Sequence, residues 1–253
     1  MNFSTLIPYS LLPWQWAAWI GLGLCIGLSK AGFSGVTAVI IPVIALIFGA
    51  KESTGLNLPL LCFADILAVA YYHQHTKWSY ILKLLPWTLA GFAAALLVAQ
   101  IVPEQAFRYL MGGSILAGLI VMVWNDRKKK DTPPPSAWWF SALFGIAGGF
   151  TTTIGNIAGP IMSVFLLSMR LPKNNFVGTA SWFFLIVNFL KLPIQLFIWK
   201  NITPQTALFD LTLVPVVIVG GIVGIILVKK ISEPIFRKTI MILTLVSTVL
   251  LFI

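Results

Sequence analysis

Long apolar runs separated by short polar breaks dominate this chain. They extend over Trp14–Leu28, Val36–Phe48, Leu56–Tyr72, Trp78–Val102 and Phe107–Trp124. A second set covers Ala137–Phe150, Ile157–Ser168, Phe176–Ile198, Ala207–Val228 and Ile235–Ile253. Runs of this length predict membrane-spanning helices, because barrel strands would alternate apolar and polar residues over much shorter segments. The first two runs of each set are short and divided by glycine-rich sequence. Each such pair reads as two full spans or as one re-entrant hairpin, and either way the chain returns to the side it came from.

The second set repeats the first. VPEQAFR from Val102 to Arg108 returns as ISEPIFR from Ile231 to Arg237, and Pro86 and Gly91 return as Pro215 and Gly220. Nearer the start, Gly23 and Gly27 return as Gly145 and Gly149, and Pro42 as Pro160. The chain therefore divides into a first transmembrane repeat, 1–124, a linker, 125–136, and a second repeat, 137–253. An odd number of crossings in each half inserts the two in opposite senses. The expected fold is all-α: a polytopic membrane helix bundle of two inverted-topology repeats with Gly-rich broken or re-entrant helices. Such duplication marks secondary transporters, whose alternating access uses two pseudo-equivalent halves around a midplane site.

Composition agrees with a bilayer as solvent. Hydrophobic residues make up 58% of the chain and charged ones 9%, with a mean hydropathy of +0.94, whereas a soluble domain carries about 25% charged residues. The net charge of +10 is unevenly placed. One side receives Lys77, Lys83, Arg127, Lys128, Lys129, Lys130, Arg170, Lys173, Lys229, Lys230, Arg237 and Lys238; the other receives Lys51, Arg108 and Lys200. By the positive-inside rule the first side is cytoplasmic and both termini lie outside. The RKKK run is then a topology determinant, and no nucleic-acid partner is expected. No basic side chain precedes Lys30, so the charged start of a cleaved signal peptide is missing; Trp14 and Trp16 read as interfacial anchors. Cys25 and Cys62 lie in apolar runs without metal-ligand spacing, and His73 and His75 belong to a solvated loop. No nucleotide-binding loop occurs, and no metal or cofactor is expected.

Candidate chemistry sits where polar residues interrupt the apolar background. Two breaks occupy corresponding places: GLSKAGFSG from Gly27 to Gly35, and GFTTTIGNIAGP from Gly149 to Pro160. Glycines would free the backbone from helix there and leave N–H groups, with small polar side chains, facing a midplane anion site. The candidate binding residues are Ser29, Lys30, Gly32, Ser34, Gly35, Thr151, Thr152, Thr153, Gly155 and Asn156, joined by Asn188 and Lys191. Lys191, inside an apolar run, must face a wet cavity, pair with an acid or snorkel to the interface. Asp65 lies mid-run, and its repeat counterpart, Asn188, is one turn before Lys191. Asp65 reads as the structural partner of Lys30 or Lys191, or as a coupling proton site. Asp210, near a helix end, is expected to be solvated. Small-xxx-small spacing at Gly23/Gly27, Gly145/Gly149, Gly220/Gly224 and Gly91/Ala95 predicts close helix contacts, within one protomer or across a homodimer.

Gly32-Phe33-Ser34-Gly35 also reads as G-x-S-G, the nucleophile motif of rhomboid intramembrane proteases. A serine nucleophile needs a base, and no apolar run of the second half holds a histidine. Proteolysis is therefore disfavoured.

The order of these motifs resembles the TauE/SafE sulfite exporter family. The carriers are G-L-x-K-x-G-F-x-G, the run to Pro42, Gly55 through Pro59 to Asp65, the G-G-F…G-x-x-A-G-P around Gly148 to Pro160, and then Gly178 and Asn188. Lys30 and Ala31 stand where many relatives have glycines, which makes the first break more cationic. The resemblance implies a multi-pass carrier of the bacterial inner membrane, not an enzyme. Its expected partner is a small sulfur-containing oxyanion, such as sulfite or an organosulfonate like sulfoacetate, and its expected direction is export. A channel for small anions or neutral solutes is the alternative.

Overall fold

The computed structural model describes residues 9–33, 36–98 and 136–250. The run Phe107–Trp124, most of the linker with its RKKK, and the candidate residues Ser34 and Gly35 lie outside them. The described residues are helical and contain no strand. The helices are α1 (Pro13–Lys30), α2 (Val36–Phe48), α3 (Ala50–Tyr72), α4 (Trp78–Val98), α5 (Trp138–Gly155), α6 (Gly159–Ser168), α7 (Lys173–Pro193), α8 (Pro204–Asp210), α9 (Val214–Lys230) and α10 (Glu233–Leu250). A π-helical turn, Ile194–Ile198, extends α7.

Four stretches among the described residues are long and apolar enough to cross a membrane: Glu52–His75, Trp78–Val98, Lys173–Ile198 and Pro204–Lys230. The helical pairs α1–α2 and α5–α6 each form a hairpin whose turn packs against α3 and α7. Lys30, the last residue of α1, contacts Asp65 of α3, and Gly32 packs on Val177, next to the Gly178 that meets Tyr72. Asn156, just past α5, contacts Lys191 of α7 and Thr54 of α3.

The breaks themselves are narrower than their composition predicts. Helix α1 runs unbroken through Gly27, and α5 continues through Gly149 and all three threonines to Gly155. The polar side chains sustain the helix. Ser29 Oγ donates to Ile26 O at 2.8 Å, Thr151 Oγ to Ala147 O at 2.8 Å and Thr153 Oγ to Gly149 O at 2.7 Å. Hydroxyls bonded back in this way satisfy themselves inside a buried helix without ending it. The turns proper begin later. Gly32 holds φ at +125°, and a Cβ there would press on Val177 and Phe236, so both conformation and packing exclude a larger residue. Asn156 takes the left-handed conformation that ends α5, a role asparagine tolerates.

Glycines in the middle of these helices serve packing. Helix α1 lies on α9, with Gly23 and Gly27 facing Val216, Val217 and Gly220, and Gly224 facing Leu28 and Ala31. Helix α5 lies on α4, with Gly145 and Gly149 facing Leu84, Trp87 and Thr88, and Gly91 facing Ile146 and Phe150. In both pairs the helices run parallel, and the small-residue contacts close within one chain. A Cβ on Gly149 would overlap the carbonyl oxygen of Thr88, whereas one on its neighbour Gly148 meets only Ile161 Cγ2 at 3.9 Å. We expect Gly149→Ala to destabilise the protein by about 1–3 kcal/mol through overpacking. Gly148→Ala should be neutral or slightly stabilising by helix propensity. Thermal unfolding of the two variants in detergent checks the contrast.

Two apolar cores flank the centre. One gathers Phe140, Phe144, Phe165, Phe176 and Phe236; the other gathers Trp19, Ile44, Leu60, Phe209 and Val217, with Trp19 stacked on Phe209 at 4.6 Å. Between them α3 and α7 run antiparallel through the middle of the molecule. They are pinned at one end by Gly55 against Asn201 and at the other by Gly178 against Tyr72 and His75. His73 and His75 are exposed, as expected of a loop.

Candidate functional site at the hairpin tips

Where the two tips meet α3 and α7, the apolar interior gives way to a polar cluster. On the α1 side, Lys30 Nζ lies 2.7 Å from Asp65 Oδ1 and 4.7 Å above the ring of Phe184. The other oxygen, Asp65 Oδ2, accepts from Asn188 Nδ2 at 2.6 Å. Asp65 and Asn188, counterparts in the sequence repeat, thus touch each other where α3 crosses α7. Asp65 is thus ion-paired with Lys30 through one oxygen and held by Asn188 through the other.

On the α5 side, Lys191 is 1% exposed. Its ammonium donates to Thr152 O at 3.1 Å, Thr152 Oγ at 2.9 Å and Asn156 Oδ1 at 2.6 Å. The three acceptors are neutral. A lysine at mid-bilayer costs about 2.5–3.5 kcal/mol on insertion scales, and charge-assisted hydrogen bonds of about 1.5–3 kcal/mol each offset that. Snorkelling is excluded by this geometry: the side chain points inward to the α5 tip. No carboxylate among the described residues pairs with it.

The polar cluster continues toward the α8 end. Asn156 Nδ2 donates to Thr54 O at 2.9 Å, Gln195 Nε2 to Thr54 Oγ at 3.0 Å, and Asn201 Nδ2 to Gln195 Oε1 at 3.0 Å. Thr54, Gln195 and Asn201 were not among the sequence candidates. Gln195 carried a signal all the same, as a polar residue in the apolar run two positions after Pro193. The π turn that holds it is a geometry often found at functional sites.

A small cavity of about 30 Å³ lies between the tips, lined by Ser29, Lys30, Thr37, Leu61, Thr152, Asn156, Gly159, Phe184 and Asn188. Of the sequence candidates, Ser29, Lys30, Thr152, Asn156 and Asn188 reach this lining, and Lys191 stands directly behind Thr152 and Asn156. Thr151 and Thr153 are buried with their hydroxyl hydrogens committed to helix carbonyls. Gly32 packs instead against Val177 and Phe236, and Gly155 closes the last turn of α5. A larger groove of about 340 Å³ opens on the other face of Lys30, between α1, α3 and α9, but its walls are almost wholly apolar.

One expectation is overturned away from the cluster. Asp210 is buried at 3% exposure, and neither of its oxygens has a hydrogen-bond partner among the described residues. The turn into α9 buries it instead of leaving it in solvent.

The arrangement can do one thing chemically with ease. Two ammonium groups, amide and hydroxyl donors and a small enclosed space suit a compact oxyanion. No group of metal-ligating side chains occurs among the described residues. No curated protein and no solved structure matches this chain. The family model described as sulfite exporter TauE/SafE matches residues 19–251. Nearly the whole chain, including both hairpin tips and every residue of the polar cluster, falls within that match, and the protein belongs to this family of membrane transporters of sulfur anions.

Proposed function

We propose that the protein is a secondary carrier that exports sulfite or small organosulfonate anions by alternating access around the polar cluster. The observation that carries this reading is Lys191: a fully buried cation, balanced by no carboxylate among the described residues, beside the cavity between two hairpin tips. A buried charge left uncompensated in the empty protein is a standing attraction for a ligand of opposite sign. Lys30 supplies a second ammonium. Thr152, Asn156 and Asn188 present hydroxyl and amide groups whose bonds can be exchanged for oxyanion oxygens.

Alternating access needs two halves that exchange roles. The contacts between helices support that reading, since α1 on α9 and α5 on α4 are the pairs that the repeats 1–124 and 137–253 would interchange. The basic end of the bundle, with Lys77, Lys173, Lys229 and Lys230, faces the cytoplasm in this proposal. Both termini then lie outside the inner membrane of a bacterium. A channel in place of a carrier would conduct without saturation.

The test is a thermal-shift and uptake experiment on purified and reconstituted protein. Sulfite or methanesulfonate should raise the unfolding temperature in a saturable manner while chloride does not, and vesicles should show saturable counterflow of labelled anion. Absence of stabilisation by every sulfur oxyanion sinks the substrate assignment; non-saturable flux sinks the carrier.

A further inference from the structure

We infer that the site selects monovalent oxyanions over divalent ones, so that hydrogen sulfite and singly charged sulfonates are ligands while sulfate is rejected. This rests on the carrier reading above and deepens it. Among the described residues, three charged side chains meet in the cluster: Lys30, Asp65 and Lys191. Lys30 and Asp65 form an ion pair and cancel. Among the described residues Lys191 is bonded only to Thr152 and Asn156, through three donated hydrogen bonds that suit an ammonium, and with that ammonium charged the empty site holds one net positive charge.

A ligand with one negative charge brings the buried sum to zero. A dianion leaves a whole unbalanced negative charge beside Asp65, whose carboxylate has no route to solvent at 0% exposure. Burial of an uncompensated charge is the costliest electrostatic event a protein interior can host. The cavity reinforces the choice. Its roughly 30 Å³ corresponds to about two water molecules, which favours a compact head and leaves no space for the counter-ion that a dianion would need to bring.

Asp65 is therefore the selectivity residue, acting through charge and without touching the ligand by any free oxygen. Its two oxygens are held by Lys30 and Asn188. The measurement is the affinity ratio of methanesulfonate to sulfate, two tetrahedral sulfur anions of similar size that differ in charge, with dimethyl sulfone as the neutral control. Wild type should prefer methanesulfonate, and dimethyl sulfone should not bind. Asp65→Asn raises the site to two net positive charges and should shift the ratio toward sulfate by about tenfold or more. The double variant Lys30→Met/Asp65→Asn removes the pair as a unit, restores one net charge, and should bring the ratio back toward that of wild type. This double variant also guards against misfolding of the single one.

Equal affinity for the two anions in wild type, or a ratio that Asp65→Asn leaves in place in folded protein, overturns this inference alone. Binding of neither anion, nor of sulfite, overturns the proposed function and the inference with it.

Discussion

Lys191→Met should abolish stabilisation by sulfite and methanesulfonate, a loss of about a hundredfold or more in affinity, while leaving the protein folded. An ammonium about 4 Å from an anion at an effective dielectric constant near 20 contributes roughly 4 kcal/mol of attraction. Two-thirds of that already amounts to about a hundredfold in affinity. The structural consequence is smaller. Methionine has a similar length and fills the same space among Val187, Asn188 and the α5 tip. Its introduction removes the charge that is expensive to bury and leaves Asn156 Oδ1 without a donor, which costs about 1–3 kcal/mol, whereas Thr152 O keeps the backbone N–H of Asn156. These effects oppose each other, so the unfolding temperature should move by only a few degrees in either direction. Lys191→Gln keeps a donor for Asn156 but not the charge, and should be equally dead in anion binding. If either variant binds sulfite as wild type does, Lys191 is not part of the site.

The contrast between what the chain announced and what it concealed follows from physics at particular residues. The helices were legible because a bilayer admits few alternatives, and the ends of α2, at Val36 and Phe48, and of α3, at Tyr72, agree with the apolar runs. The pairing of Asp65 with Lys30 was legible as one of two choices, because charges in an apolar run have few partners to choose from, whereas its bond to Asn188 was not. The extent of the breaks was not. Glycine in a membrane helix signals flexibility and close approach with the same letter, and Gly27 and Gly149 turned out to serve approach, against α9 and α4. The threonine triplet misled for a related reason: a hydroxyl that can donate to a ligand can also donate to a carbonyl four residues back, and Thr151 and Thr153 do so. Thr54 and Asn201 carried no signal of their own. They matter because α3 and the end of α7 pack closely at Gly55, a three-dimensional fact that neither segment displays by itself.

Lys30→Met should unfold or severely weaken the protein, and adding Asp65→Asn should rescue it. Removing Lys30 leaves a carboxylate at 0% exposure with Asn188 as its sole remaining hydrogen-bond partner among the described residues. Breaking a buried pair from one side costs about 3–5 kcal/mol, a large part of the roughly 5–15 kcal/mol that holds a typical domain together. Removing both charges costs far less. The amide oxygen introduced at position 65 would still accept from Asn188, and the methionine would lie against Phe184, where the ammonium had stacked. A double-mutant cycle on thermal or denaturant stability reads this as a coupling energy of about 2–3 kcal/mol, the upper part of what contacting residues show. The same cycle on anion affinity should give a different result, because there the pair acts through the charge it cancels and Lys30 also lines the cavity. If Lys30→Met proves as stable as wild type, the pair is not buried in the membrane, and the α1–α2 tip must reach water. That result would move the site from the middle of the bundle to its edge.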